Sequence, residues 1–73
     1  MTKKPKARTF KLVREKDVSG VSGTGIVAEG IEWTSGKVTV CWLGTFGTIE
    51  QADNIHQIEV LHGHSGNTKV VWD

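Results

Sequence analysis

A glycine- and serine-rich segment limits what this chain can fold into more than any other feature. Residues 17–25 read DVSGVSGTG. Glycine loses more backbone entropy on ordering than any other residue, and neither glycine nor serine has much side chain to pack, so the segment suits neither a helix interior nor a regular strand. We therefore predict a long, shaped loop that separates two parts of the chain.

These two parts carry opposite charge, although the net charge is only +1. Residues 1–16 hold seven of the nine basic residues and one acidic residue, whereas residues 17–73 hold two basic and seven acidic residues. Such a split predicts a basic arm on a mildly acidic body. We expect residues 1–9 to form a disordered arm, which either contacts a polyanion or only aids solubility, and residues 10–73 to form one small domain.

The length of 73 residues allows a single domain with a thin core. One cysteine excludes an internal disulfide, so oligomerisation or a metal is the expected supplement, and we favour a homo-oligomer. The basic start is not followed by the apolar region of a signal peptide, and no apolar run approaches the length of a membrane span. We expect a soluble, cytoplasmic protein without a membrane partner.

Short alternating segments separated by turn residues predict an all-β fold. The predicted strands cover residues 10–14, 25–33, 38–43, 48–50, 55–61 and 69–72. A tight hairpin turn is expected at residues 34–37, a bulge at Glu29–Gly30, and one short helical turn at residues 51–54. Five or six short strands in this order are typical of a small SH3-like barrel, a fold that hosts many kinds of binding protein.

Two long blocks of the chain resemble a known family. Residues 10–33 read FKLVREKDVSGVSGTGIVAEGIEW and residues 61–72 read LHGHSGNTKVVW. They resemble short proteins of bacteria and their phages that carry a DVSGVSGTGxVAEGxxF/W segment, a central V-x-W and a terminal HGHxGxTxxxW. The resemblance implies a small intracellular protein with a link to phages, and it brings no catalytic residue.

A second polar, glycine-containing loop is predicted at residues 62–67, which read HGHSGN. This loop and the segment at residues 17–25, together called the two Gly/Ser-rich loops, are the predicted ligand site. Their backbone N–H groups and hydroxyls can form a nest for phosphate or carboxylate, although the lysine and the following helix of a P-loop are missing. The alternative is an ordered loop whose glycines and hydroxyls only stabilise turns. The predicted ligand-binding residues are Ser19, Ser22, Gly23, Thr24, His62, His64, Asn67 and Trp72. We expect residues 22–24 to lie near His62 or His64, within one subunit or across two.

The residues that carry metal or catalytic chemistry are few. His62 and His64 share the face of an extended segment, and His56 is a third candidate, but a zinc site needs three or four ligands. We therefore predict no metal and no cofactor. Since there is no GxSxG motif and the carboxylates are scattered, we predict no catalytic residue and no enzymatic activity.

Three tryptophans are many for this length. Trp42 continues the face of residues 38 and 40 and is expected in the core. Trp33 and Trp72 either pack within the protein or stack against a base. If Trp72 packs, its partner is a neighbouring strand or another subunit.

Taken together, the residues favour a non-catalytic binding module, and the resemblance implies that it is associated with phages. We expect it to bind an anionic nucleotide-type ligand through the Gly/Ser-rich loops at an oligomer interface, in the cytoplasm of the bacterial host. In the phage setting that the resemblance implies, such binding could sequester a signalling nucleotide. One alternative is a nucleic-acid-binding protein that uses Lys3, Lys4, Lys6 and Arg8 in the basic arm. Another is a module that binds a phage or host protein through an exposed strand edge.

Overall fold

The computed structural model describes residues 6–15, 25–63 and 66–73. Within these residues, five strands and one helix follow one another: β1 (Arg8–Arg14), β2 (Gly25–Glu32), β3 (Val38–Trp42), β4 (Ile49–Ala52), α1 (Ile55–His62) and β5 (Thr68–Trp72). The strands form one antiparallel sheet in the order β4-β3-β2-β1-β5. The all-β class is therefore confirmed. Strands β4 and β5 are the edges of this sheet, so closure into an SH3-like barrel stays a prediction.

The predicted strand at residues 55–61 is wrong, because this segment forms helix α1. Asn54 caps the helix: its side-chain oxygen accepts the backbone N–H of Gln57 at 2.9 Å. The Gln57 side chain in turn accepts the N–H of Asp53 at 2.8 Å. The helical turn predicted at residues 51–54 is also wrong, since residues 51 and 52 end β4.

The core lies between α1 and one face of the sheet. Strand β1 supplies Phe10 and Leu12 to this face, as their alternation with Lys11 and Val13 predicts, and α1 covers them with Ile58. Among the residues that the structure describes, the fully buried apolar side chains are Phe10, Leu12, Ala28, Val38, Val40 and Ile58. Strand β1 begins at Arg8, so residues 8 and 9, which we had assigned to the arm, belong to the sheet.

The irregularity in the sheet is not where the sequence predicts it. Phe10 pairs with Gly30 in regular register, so the predicted bulge at Glu29–Gly30 is wrong. The register shifts instead between Leu12 and Val13, which pair with Ala28 and Ile26. Gly30 has a packing role, because the Phe10 ring lies directly over it.

Candidate functional site

The described residues that flank the two Gly/Ser-rich loops meet at one end of the sheet. Arg14, the last residue of β1, pairs with Gly25 on one side and with Thr68 on the other. The next residue, Glu15, donates its backbone N–H to the carbonyl of Asn67 at 2.7 Å. We call this region, defined by Arg14, Gly25 and residues 67–68, the loop end.

Several predicted ligand residues fall outside the described part of the chain. These are Ser19, Ser22, Gly23, Thr24 and His64. The predicted proximity of residues 22–24 to a histidine therefore also lies outside the described residues.

A buried arginine lies at the loop end. Arg14 is only 7% exposed, and its Nε donates to the Thr68 hydroxyl at 3.2 Å. Within residues 6–15, 25–63 and 66–73, no carboxylate forms an ion pair with this guanidinium. A buried charge is costly unless it is paired and hydrogen-bonded. Sequence reasoning missed Arg14 as a functional residue, although its alternation with Phe10 and Leu12 already placed it on the apolar face.

His62 is held by a carboxylate near the loop end. Its Nε2 lies 2.9 Å from both side-chain oxygens of Glu50, and its ring meets the Trp42 ring edge-on at a centroid distance of 4.8 Å. The Trp42 indole N–H also donates to Glu50 at 3.1 Å. The imidazole thus joins the last turn of α1 to β3 and β4, and its orientation is set from within the protein.

The chain continues from His62 directly to β5. The carbonyl of Gly63 accepts the N–H groups of Gly66 and Thr68, both at 3.0 Å. His62 and Asn67 therefore belong to one connection that ends beside Arg14. His56 lies elsewhere on α1, beside Val60 and Leu61, and no three metal-ligating side chains of the described residues are grouped closely enough to hold an ion.

Trp72 lies at the other end of β5. It pairs with Phe10, whose ring meets it edge-on at 5.2 Å. Four residue steps at about 3.3 Å each separate it from Thr68, a distance of about 13 Å along the strand. Trp72 packs against the neighbouring strand β1, which was one of the two alternatives for this residue. It lies away from the loop end, where Asn67 lies.

The basic residues of the predicted nucleic-acid interface are only partly described. Lys3 and Lys4 lie outside the described residues, and Lys6 is exposed ahead of β1. Arg8 is part of β1, where its Nε bonds Glu32 at 2.9 Å and its guanidinium stacks 3.6 Å from the centroid of Trp72. Arg8 is therefore held against the sheet.

A concave region lies between the β2–β3 hairpin and the junction of β4 with α1. We call it the hairpin groove; it has a volume of about 440 Å³, and its walls include Trp33, Ser35, Lys37, Thr39, Gln51 and Asp53. The predicted hairpin turn shapes one wall, where Trp33 donates its N–H to the carbonyl of Lys37 and accepts that of Gly36, both at 2.8 Å. Sequence reasoning considered Trp33 for stacking and missed the polar residues that join it from β4 and the following turn.

These elements define the class of the protein: a small antiparallel β-sheet domain covered by one short helix. A family model described as Acb5 phage protein matches residues 7–73, so the chain belongs to this family of phage proteins. The predicted link to phages is thereby confirmed. No curated protein and no solved structure matches the chain. Helix α1, with eight residues, is too short and not apolar enough to cross a membrane.

Proposed function

We propose that this phage protein is a non-catalytic binding module that holds an anionic nucleotide-type ligand at the loop end. The observation that carries the proposal is Arg14, a buried guanidinium whose hydrogen-bond partner among the described residues is the neutral hydroxyl of Thr68. A phosphate group placed beside it would supply the opposite charge.

The chemistry of arginine suits this ligand. A guanidinium presents its N–H donors in a planar fork that matches two phosphate oxygens, and such charge-assisted bonds are about twice as strong as neutral ones. The bond from Nε to Thr68 fixes the plane of the fork. Backbone N–H groups and hydroxyls of glycine- and serine-rich segments suit the remaining phosphate oxygens.

We also propose that the binding unit is a homo-oligomer. The core of described apolar residues is small, whereas several large apolar side chains are open to solvent, including Phe46 at 91% exposure and Ile49 and Leu43 near it in sequence. Exposed apolar groups of this kind are typical of surfaces that meet another protein. Analytical ultracentrifugation should give a sedimenting species larger than the 8.0 kDa monomer, and a monomer at all concentrations would refute this part of the proposal.

The ligand proposal is tested by calorimetry with a panel of mono-, di-, tri- and cyclic nucleotides, each beside its phosphate-free nucleoside. If the loop end holds a phosphate, at least one nucleotide should bind with higher affinity than its nucleoside. Arg14→Lys keeps the charge but loses the fork, and it should weaken binding about 10- to 140-fold, which corresponds to one lost charge-assisted hydrogen bond.

The matched control is Arg8→Lys, a change of the same kind at the other end of β1. It should leave binding within twofold of the wild type. Far-ultraviolet circular dichroism and thermal melting identify folded variants before binding is compared. Absence of binding to every nucleotide in the panel, or a folded Arg14→Lys variant that binds like the wild type, would overturn the proposal.

A further inference from the structure

The hairpin groove is separate from the loop end. Strand β2 runs from Gly25 at the loop end to Glu32, the residue before Trp33, and eight residues of strand extend over about 23 Å. The groove volume of about 440 Å³ falls within the range of roughly 300–1,000 Å³ that small-molecule sites have. A ligand here would be independent of the one proposed beside Arg14.

Trp33 forms a fixed platform in this groove. Its side chain is 48% exposed, and its indole N–H donates to the Thr39 hydroxyl at 2.9 Å. Because the N–H is bonded within the protein, the ring is held in one orientation and needs no polar partner from a ligand. A half-exposed, oriented indole ring is suited to stack on a planar heteroaromatic ring.

A donor and an acceptor stand side by side in the same groove. The ammonium of Lys37 lies 3.3 Å from the carboxylate of Asp53, and both side chains are about two-thirds or more exposed. An exposed ion pair of this kind contributes little to stability, so both groups can turn to a ligand at small cost. The backbone of Asp53 is anchored, since its N–H donates to Gln57 at 2.8 Å.

We propose that the hairpin groove binds a guanine base. Guanine stacks on Trp33 and presents two neighbouring N–H donors, N1–H and the 2-amino group, to the two oxygens of Asp53. O6 lies on the same edge of the base and N7 on the adjacent edge, and both are acceptors for the Lys37 ammonium. Adenine and the pyrimidines offer a carboxylate no such pair of adjacent donors, so the groove distinguishes guanine from the other bases.

The base can come from a free nucleotide or from a single-stranded nucleic acid, and the experiment separates these sources. Nuclear magnetic resonance follows the indole N–H signals of the ¹⁵N-labelled full-length protein, with the Trp33 signal assigned from Trp33→Phe. Guanosine, inosine, adenosine, GMP and a short guanine-containing single strand are titrated in parallel. Guanosine should shift the Trp33 signal and the Gln51 amide, and inosine, which lacks the 2-amino group, should bind about 10- to 140-fold more weakly.

Variants assign the interaction to individual residues. Trp33→Ala should weaken guanosine binding about 5- to 140-fold, the range for one stacked base, and Asp53→Asn should remove the preference for guanosine over inosine. The matched controls are Lys69→Met and Glu15→Gln, which alter the exposed Lys69–Glu15 ion pair at 3.0 Å. Both controls should bind guanosine like the wild type.

The outcomes separate this site from the loop end. Arg14→Lys should leave guanosine binding unchanged, because guanosine carries no phosphate, so either site can fail alone. Binding of GMP and guanosine supports a free nucleotide as the source, and binding of the single strand alone, lost in Trp33→Ala, supports a nucleic acid. The proposal is overturned if no guanine ligand moves the Trp33 signal, if adenosine binds as tightly as guanosine, or if Asp53→Asn keeps the preference for guanosine.

Discussion

Replacement of Gly30 by alanine is the sharpest test of how the sheet packs. A Cβ atom at this position would lie less than 3.0 Å from three carbons of the Phe10 ring, closer than real Cβ contacts. The ring cannot move aside into solvent, because Phe10 is fully buried and meets Trp72 edge-on. The ring or the backbone of β2 must therefore shift.

Two opposing effects set the size of the loss. In an open strand, Gly→Ala would stabilise the fold by about 0.5–1 kcal/mol because the unfolded chain loses freedom. Overpacking of a core costs about 1–3 kcal/mol, and contact with three ring atoms places this site at the upper end. We expect a net loss of about 2 kcal/mol in the free energy of unfolding, or about 8–16 °C in melting temperature for a domain of this size.

Urea unfolding followed by tryptophan fluorescence measures this loss. Gly44→Ala is the matched control, since no heavy atom lies within 4 Å of its built Cβ, and it should change the stability by less than about 0.5 kcal/mol. Adding Phe10→Leu to Gly30→Ala should cost less than the sum of the single changes, because the smaller side chain relieves the contact. A Gly30→Ala variant as stable as the wild type, or strictly additive losses, would refute the packing argument.

Two further predictions concern α1 and the end of β5. Asn54→Ala removes the cap of α1 and should cost about 1 kcal/mol in urea unfolding, while Asn54→Ser should cost only a few tenths; equal stability of all three proteins would contradict the capping role. Hydrogen bonds from Lys11 and Thr9 hold the pKa of the Asp73 carboxyl below its ordinary 3.8, and the bond to Asp73 raises the pKa of Lys11 above 10.5. The stability advantage of the wild type over Asp73→Asn should therefore be full at neutral pH and shrink as the pH falls below 3.8 or rises above 10.5; an advantage that does not change with pH would contradict the pairing.

The strands could be predicted because their side chains alternate. In β3, Val38 and Val40 are buried and Thr39 between them is not, as the two-residue period requires. The turn signal at residues 34–37 predicted that β2 and β3 form a hairpin. These signals are local, so they do not depend on knowing which strand lies beside which.

The helix was missed because its sequence is short and rich in Ile and Val. Ile58 and Val60 alternate with polar residues as in a strand, yet Ile55, Ile58 and His62 share the spacing of one helix face. The decisive local signal was Asn54 followed three positions later by Gln57, which resembles a capping box. Periodicity alone does not distinguish a short apolar helix from a short strand. Here the N-terminal cap at Asn54 distinguishes them.

The candidate sites depended on strand pairing, which local patterns do not reveal. That the two Gly/Ser-rich loops share one end follows from the position of Arg14 between Gly25 and Thr68. The hairpin groove likewise joins Trp33 to Asp53, twenty residues later in the chain, because β3 lies between their strands. Composition indicated the kind of chemistry, and the sheet order determines which residues share a site.

The position of β1 between β2 and β5 also has a consequence for synthesis on the ribosome. Of the five strands described, β1 is the first to be synthesised, yet its second neighbour, β5 (Thr68–Trp72), is the last. Until then β1 can pair only with β2, and its other edge, beside Phe10 and Leu12, remains open to pairing with other chains. The sheet can therefore be completed only after translation has passed residue 72, and chains that stop before β5 should be prone to aggregation and proteolysis.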